Sequence, residues 1–144
     1  MKMKKVLYGV IVLLLLGVAY YAISPLFNTV EVNDVLETDT AVSKMFDVVG
    51  TPGHPASGSV RIVQSEEGEI IRFENFETIN GPQLHLYLSK DKDGKEFIDL
   101  GPIKGTKGNI HYQVPEGVDI SEYPYVLHWC VPFSVLFNYA DTSQ

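Results

Sequence analysis

The sequence predicts an all-β fold, an antiparallel sandwich or barrel of about seven or eight short strands, preceded by one N-terminal transmembrane helix. Three observations predict it. Apolar residues alternate with polar ones through most of the chain after residue 55, as half-buried strands require. Glycines and prolines fall between these runs, at Gly81-Pro82, Gly101-Pro102, Gly105, Gly108, Pro115 and Pro124. One uncharged apolar stretch stands apart at the N-terminus.

That stretch, Val6 to Ile23, holds 18 residues without a charge or a proline. As a helix it extends roughly 27 Å, close to the hydrocarbon thickness of about 30 Å. Tyr20 and Tyr21 stand where aromatic rings favour the interface, and Ser24-Pro25 ends the helix. Lys2, Lys4 and Lys5 precede it, so residues 1–5 are expected in the cytoplasm and everything after Ile23 outside. A removable signal peptide cut after Ala19 competes with an uncleaved signal-anchor. The apolar run continues through Tyr20–Ile23, longer than a usual signal core, which favours the anchor.

Residues 24–40 are acidic and read as a stalk, with Val30 and Val32 able to add one short strand to a sheet edge. Residues 41–144 form the β domain, large enough for an independent core. In Ser59–Gln64, Val60 and Ile62 share a face opposite Arg61. In Glu69–Phe76, Ile71 and Phe73 face together, opposite Arg72 and Glu74. Gln83–Ser89 puts Leu84, Leu86 and Leu88 on one face and His85, Tyr87 and Ser89 on the other. Lys90–Lys95 is a polar hairpin loop whose Asp93-Gly94 suits a positive-φ turn. Phe97–Ile103, Asn109–Val114, Tyr125–Val131 and Ser134–Tyr139 complete the strands, and Val118–Tyr123 has room for a single helical turn.

Composition excludes several functions. The 144 residues carry 11 basic and 18 acidic side chains; with three lysines in the N-terminal tip, the rest holds 8 against 18. Such a surface repels phosphate backbones, which argues against nucleic acid as a partner. A single cysteine excludes an internal disulfide framework, a Cys-x-x-Cys pair and an all-cysteine metal site. No Cys-x-x-Cys-His occurs for covalent haem attachment, and no nucleophile elbow, Walker loop, dinucleotide fingerprint or His-Glu-x-x-His. Asp91-Lys-Asp93-Gly94 lacks the later ligands of a calcium loop and reads as a hairpin tip.

The chemistry-bearing stretch is Tyr125-Val-Leu-His-Trp-Cys-Val-Pro-Phe133. On a strand, His128 and Cys130 share a face, with Trp129 on the opposite one. A cationic imidazole beside a thiol favours the thiolate, which can exchange electrons or ligate a metal or haem iron. The plain alternative is that Cys130 is a small buried hydrophobe in an apolar strand. An unpaired cysteine in an exported chain weighs against that alternative, since such compartments oxidise free thiols. His85, His111 and His54 are the other candidate ligands, and with a soft thiolate they suit copper or haem. They lie on separate strands and a loop, so each also reads as an ordinary strand or turn histidine.

An ordered set of words resembles the DM13 domain, an exported all-β module proposed to take part in electron transfer. The set is Gly58-Ser-Val-Arg-Ile-Val63, Phe73-Glu-Asn-Phe76, Asn80-Gly-Pro-Gln-Leu-His-Leu-Tyr-Leu-Ser89, Asp99-Leu-Gly101, Lys104-Gly105, Gly108-Asn-Ile-His-Tyr112, Val114-Pro115, His128-Trp-Cys-Val-Pro-Phe133 and Leu136-Phe-Asn-Tyr-Ala140. The resemblance implies a single signature cysteine, here Cys130, acting as a bare thiol or as a ligand to a group such as haem. Two departures stand out: Gln83 where an acid is usual, and Asn138 where glycine is common. Neither is expected to touch the cysteine motif.

Together these readings give a membrane-anchored extracytoplasmic module, an electron carrier rather than an enzyme with its own substrate. Cys130 is its redox thiol or ligand, His128 tunes it, and His85 is a further candidate. Haem or copper is its conceivable cofactor; the lipid bilayer and a redox protein in trans are its partners. The alternative is a non-catalytic interaction module on a stalk, with Cys130 packed structurally.

Overall fold

The computed structural model describes residues 2–36 and 43–144; residues 37–42, which take in the end of the stalk reading and the first two residues of the β domain reading, lie outside the described residues. A helix, α1, runs over Lys2–Ile23 and passes through a single 3₁₀ turn at Ser24–Phe27, opened by Pro25. Among the described residues none buries its apolar membrane-length window. By length and composition Met3–Phe27 is able to cross a membrane. A signal sequence meets the same description.

Nine strands follow among the described residues: β1 (Glu31–Asn33), β2 (Met45–Gly50), β3 (Ala56–Ser65), β4 (Gly68–Thr78), β5 (Leu84–Ser89), β6 (Phe97–Pro102), β7 (Lys107–Gln113), β8 (Tyr125–Cys130) and β9 (Val135–Asp141). They form one sheet in the order β1-β7-β4-β3-β2-β9-β8-β5-β6, curled into a half-barrel. The fold is thus mostly β, as the alternation predicts, but a single curled sheet. All pairs are antiparallel except β1 with β7. The short helical turn expected within Val118–Tyr123 is the 3₁₀ turn Ile120–Glu122, capped by the Asp119 side chain on the Ser121 amide.

Strand β2 explains the curl, and its sequence hides it. Met45–Asp47 pairs with β3, whereas Val48–Gly50 pairs with β9, so one strand turns the corner between the two halves. A bulge at Gly58, φ 108°, and another at Asn75, φ 48°, add bend between β3, β4 and β7. A Cβ on Gly58 would meet the Asn75 and Glu74 carbonyl oxygens at 2.8 Å, so the close approach needs glycine.

The concave face carries the core: Val60, Ile71, Phe73, Phe76, Leu86, Leu88, Ile110 and Val126 are all within 1% of complete burial. Each such side chain contributes about 1.5–3 kcal/mol by leaving water. Ladder registers also define two ends. The chain arrives at β1 beside the connections 51–55, 79–83, 103–106 and 131–134, here called the near end. The connections 66–67, 90–96 and 114–124 lie at the far end.

Candidate functional site

Strand β8 ends at the near end with Cys130, paired with Leu84 of β5 and Val135 of β9. Val126, His128 and Cys130 share the concave face, and all three are 1% exposed. The thiol lies in its own small cluster with Leu84 and Phe137, flanked by Ile79, Ile103 and Val135. Its S–H donates to the Pro82 carbonyl oxygen at 3.2 Å. Burial pushes the thiol above its ordinary range, partly opposed by the Phe133 backbone N–H, which bonds the sulfur.

Two loops frame this sulfur, and both are strained. Gln83, next to Pro82, has φ 48°, and Ser134, next to Phe133, has φ 51°. Left-handed backbone at a residue with a Cβ costs roughly 1–2 kcal/mol and persists only where the surroundings enforce it. The loops are tied by the Val131 amide, which donates to the Gln83 carbonyl at 3.2 Å. Above the thiol the turn 131–134 presents Val131 (37% exposed) and Phe133 (46%) outward.

His128 sits one layer deeper. Its Nδ1–H donates to Asn138 Oδ1 at 2.8 Å, Asn138 Nδ2 donates to Thr78 Oγ1 at 3.0 Å, and Thr78 donates onward to the Pro55 carbonyl at 3.4 Å. With Asn138 oriented this way, the ring keeps its proton on Nδ1. The other face of the ring stacks on Phe76 (centroids 4.8 Å) and meets Phe73 edgewise (5.1 Å). Its Nε2 is buried without a hydrogen-bond partner. Burial holds the imidazole down to about 4, against the usual 6.5, although the Asn138 bond works upward.

The imidazole is therefore neutral at neutral pH, and its hydrogen bond runs to Asn138 rather than to the sulfur. The cationic partner that would stabilise a thiolate is not supplied by His128 in this form. One departure noted in the sequence does touch the cysteine motif, since the Asn138 side chain holds His128; at Gln83 the backbone carbonyl, common to any residue, meets the turn after Cys130.

The other histidines lie elsewhere. His85 is on the convex face, its Nδ1 2.8 Å from Asp99 Oδ2, in register with Trp129 rather than Cys130. His111, between the inward-facing Ile110 and Tyr112, is also on the convex face but near the opposite edge of the sheet, its Nδ1 3.6 Å from Asp34. His54 stacks on Phe137 at 3.9 Å, which puts it behind the ring that packs on the thiol; burial lowers its pKa.

Haem or copper bound by Cys130 is not matched by this arrangement. The sulfur is walled by Leu84 and Phe137, which leaves a haem no face to reach it. Among the described residues no group of three or more His, Cys, Asp or Glu side chains could hold a metal ion. What the site can do unaided is hold a neutral thiol under a short turn. Asn138 enters the sequence reading only as a departure, because the bulge at the β8–β9 pairing, where His128 meets Asn138 but Trp129 meets Leu136, breaks the alternation there; Thr78 lies past Glu69–Phe76, the stretch that the alternation marks as a strand.

Residues 47–142 match the family model described as electron transfer DM13. Comparison with curated proteins and with solved structures finds no match to either. The matched stretch spans strands from within β2 to the end of β9, most of the chain and every residue of the thiol site, so the chain belongs to the DM13 family.

Proposed function

We propose that this chain is a single-pass, membrane-tethered electron-transfer module whose redox atom is the Cys130 sulfur. The N-terminus is cytoplasmic and the β domain extracytoplasmic, in line with the lysines in the first turn of α1 and its exposed apolar side chains. The observation that carries the redox reading is the seat of the thiol. Gln83 and Ser134 are two of the three non-glycine residues with positive φ among the described residues, and they flank one sulfur. Strained backbone gathers where a site is held ready for a change of state. The closed seat stores a protonated thiol; lifting the turn 131–134 frees it for a redox protein in trans.

A second reading is favoured by the 1% exposure of Cys130 and by its bond to a carbonyl rather than to the His128 ring. Under it the thiol is packing, and the domain is an interaction module. The deciding measurement is modification of Cys130 by an aromatic disulfide, on the full chain in lipid nanodiscs. The redox reading expects reaction in the absence of urea, at a rate far above global unfolding followed by Trp129 emission. Reaction only at the rate of global unfolding makes the packed reading correct and removes the redox role.

A further inference from the structure

We propose that the near end of the half-barrel, with Val131 and Phe133 at its tip, rests on the lipid surface into which α1 inserts. The proposal rests on the anchored reading of α1. It adds a fixed orientation: the thiol-bearing end faces the bilayer and the far end faces outward.

The connection between helix and sheet is short and bonded throughout. Only residues 28–30 separate Phe27 from β1, which limits the gap to about 10 Å. Asn80 Nδ2 donates to the Asn28 carbonyl at 3.1 Å. The Thr106 and Lys107 amides donate to the Val30 carbonyl at 2.8 and 3.2 Å, and the Val30 amide donates to Thr106 Oγ1 at 3.0 Å. β1 then enters the sheet parallel to β7. A domain tied this way is held with the loops around residues 80 and 106 close to the membrane end of the helix.

Charge divides the two ends in the same sense. The near-end connections 28–30, 51–55, 79–83, 103–106 and 131–134 contain no aspartate or glutamate. Their one lysine, Lys104, turns to the His111 carbonyl at 2.7 Å and to Asp34 at 3.7 Å. The far-end connections carry eight carboxylates, Glu116 and Glu122 among them, against three lysines, Lys90, Lys92 and Lys95. A carboxylate-rich end is repelled by anionic headgroups, whereas uncharged loops tipped by apolar side chains are tolerated at the interface. Phe27, 81% exposed at the end of the helical turn, continues that apolar surface from the anchor.

The test uses the full chain in phosphatidylcholine vesicles with brominated acyl chains. Tryptophan is moved to the turn in Trp129→Phe/Phe133→Trp and to the far end in Trp129→Phe/Glu116→Trp. The expected result is at least a twofold loss of emission at 133 and none at 116. Equal emission at both positions, in protein that floats with the vesicles, overturns the orientation and leaves the anchor standing. Protein that does not float overturns the anchored reading instead. Should Trp129→Phe unfold the domain, Phe133→Trp in the otherwise unchanged chain, with the Trp129 signal subtracted, gives the same decision.

Discussion

His128 Nδ1 lies 2.8 Å from Asn138 Oδ1, and both residues are buried inside the half-barrel. This bond joins the cysteine-bearing strand to β9 and, through Thr78, to the end of β4. Removing one partner strands the other in an apolar interior, which costs about 1–3 kcal/mol. Asn138→Ala is expected to destabilise the domain by that amount in urea unfolding. The double variant with His128→Phe should cost less than the two single changes together, because a phenyl ring leaves no unsatisfied donor beside Phe73 and Phe76. Strict additivity of the two changes would mean that the bond contributes nothing.

The same histidine sets an acid dependence. Its folded-state pKa, about 4, lies below the usual 6.5. Between those values the unfolded chain binds a proton that the folded chain refuses, so stability falls as the pH drops from 6.5 towards 4 and levels off below. Above 6.5 the effect vanishes. The loss attributable to this residue is on the order of 3 kcal/mol. Urea midpoints across that window should slope in the unchanged chain and lose most of the slope in His128→Phe; an unchanged slope would place the titration elsewhere.

Cys130 predicts the opposite limb. Burial raises its thiol above the ordinary value of 9.0, so the unfolded thiol ionises first and stability declines as the pH rises beyond that value. Below it, the folded thiolate fraction is smaller than that of a free cysteine. Alkylation of the native chain at pH 8 should therefore be slower than that of a cysteine peptide. Its rate should keep rising with pH after the peptide has levelled. A native rate matching the peptide would show an open sulfur with an unperturbed thiol.

How much of this was legible in the sequence follows from period two. Leu84, Leu86 and Leu88 face inward as their alternation says, and so do Val126, His128 and Cys130. Alternation cannot show that Leu127, of the opposite parity, is fully buried as well. On the convex face the 90–96 loop folds back over the sheet, with Lys92 4.0 Å from the Tyr139 ring and Gly94 against Trp129. Strand β2 was missed because Asp47 interrupts its apolar run and its two halves pair with different neighbours. Asn138 was read only as a departure from the family's usual residue, since the bulge beside it spoils the parity that would have marked it as buried. The strained turns at Gln83 and Ser134 have no sequence signal, because glycine is what such positions normally announce.

Those turns give a stability prediction. Glycine adopts left-handed φ without penalty, so Ser134→Gly relieves strain while adding unfolded-chain entropy. Ser134→Gly is expected to be neutral or to stabilise by up to about 1 kcal/mol. If the strain keeps the thiol seat ready to open, the variant should also react more slowly with the aromatic disulfide. Stabilisation with unchanged thiol reactivity would separate the strain from the gating of Cys130.

Gly108 tests the tie between helix and domain. Its φ is 113°, and a Cβ placed on it would strike the Val32 carbonyl, a backbone atom of β1 with no freedom to yield. Asn33 Oδ1, which accepts from the Asn109 amide at 3.2 Å, would also be crowded at 2.9 Å. Gly108→Ala therefore separates β1 from β7 or unfolds the edge, at a cost above about 1 kcal/mol. The core strands β3, β4, β8 and β9 do not touch β1 through this pairing, so they should remain protected from hydrogen exchange. The bonds from the Thr106 and Lys107 amides to the Val30 carbonyl, which hold the near end beside the anchor, should open first. In vesicles the substitution should then cut the lipid quenching of a tryptophan at 133, because a domain released from β1 swings on a longer tether. Quenching that survives the loss of β1 pairing would mean that the apolar turn holds itself to the lipid, with the tether contributing little.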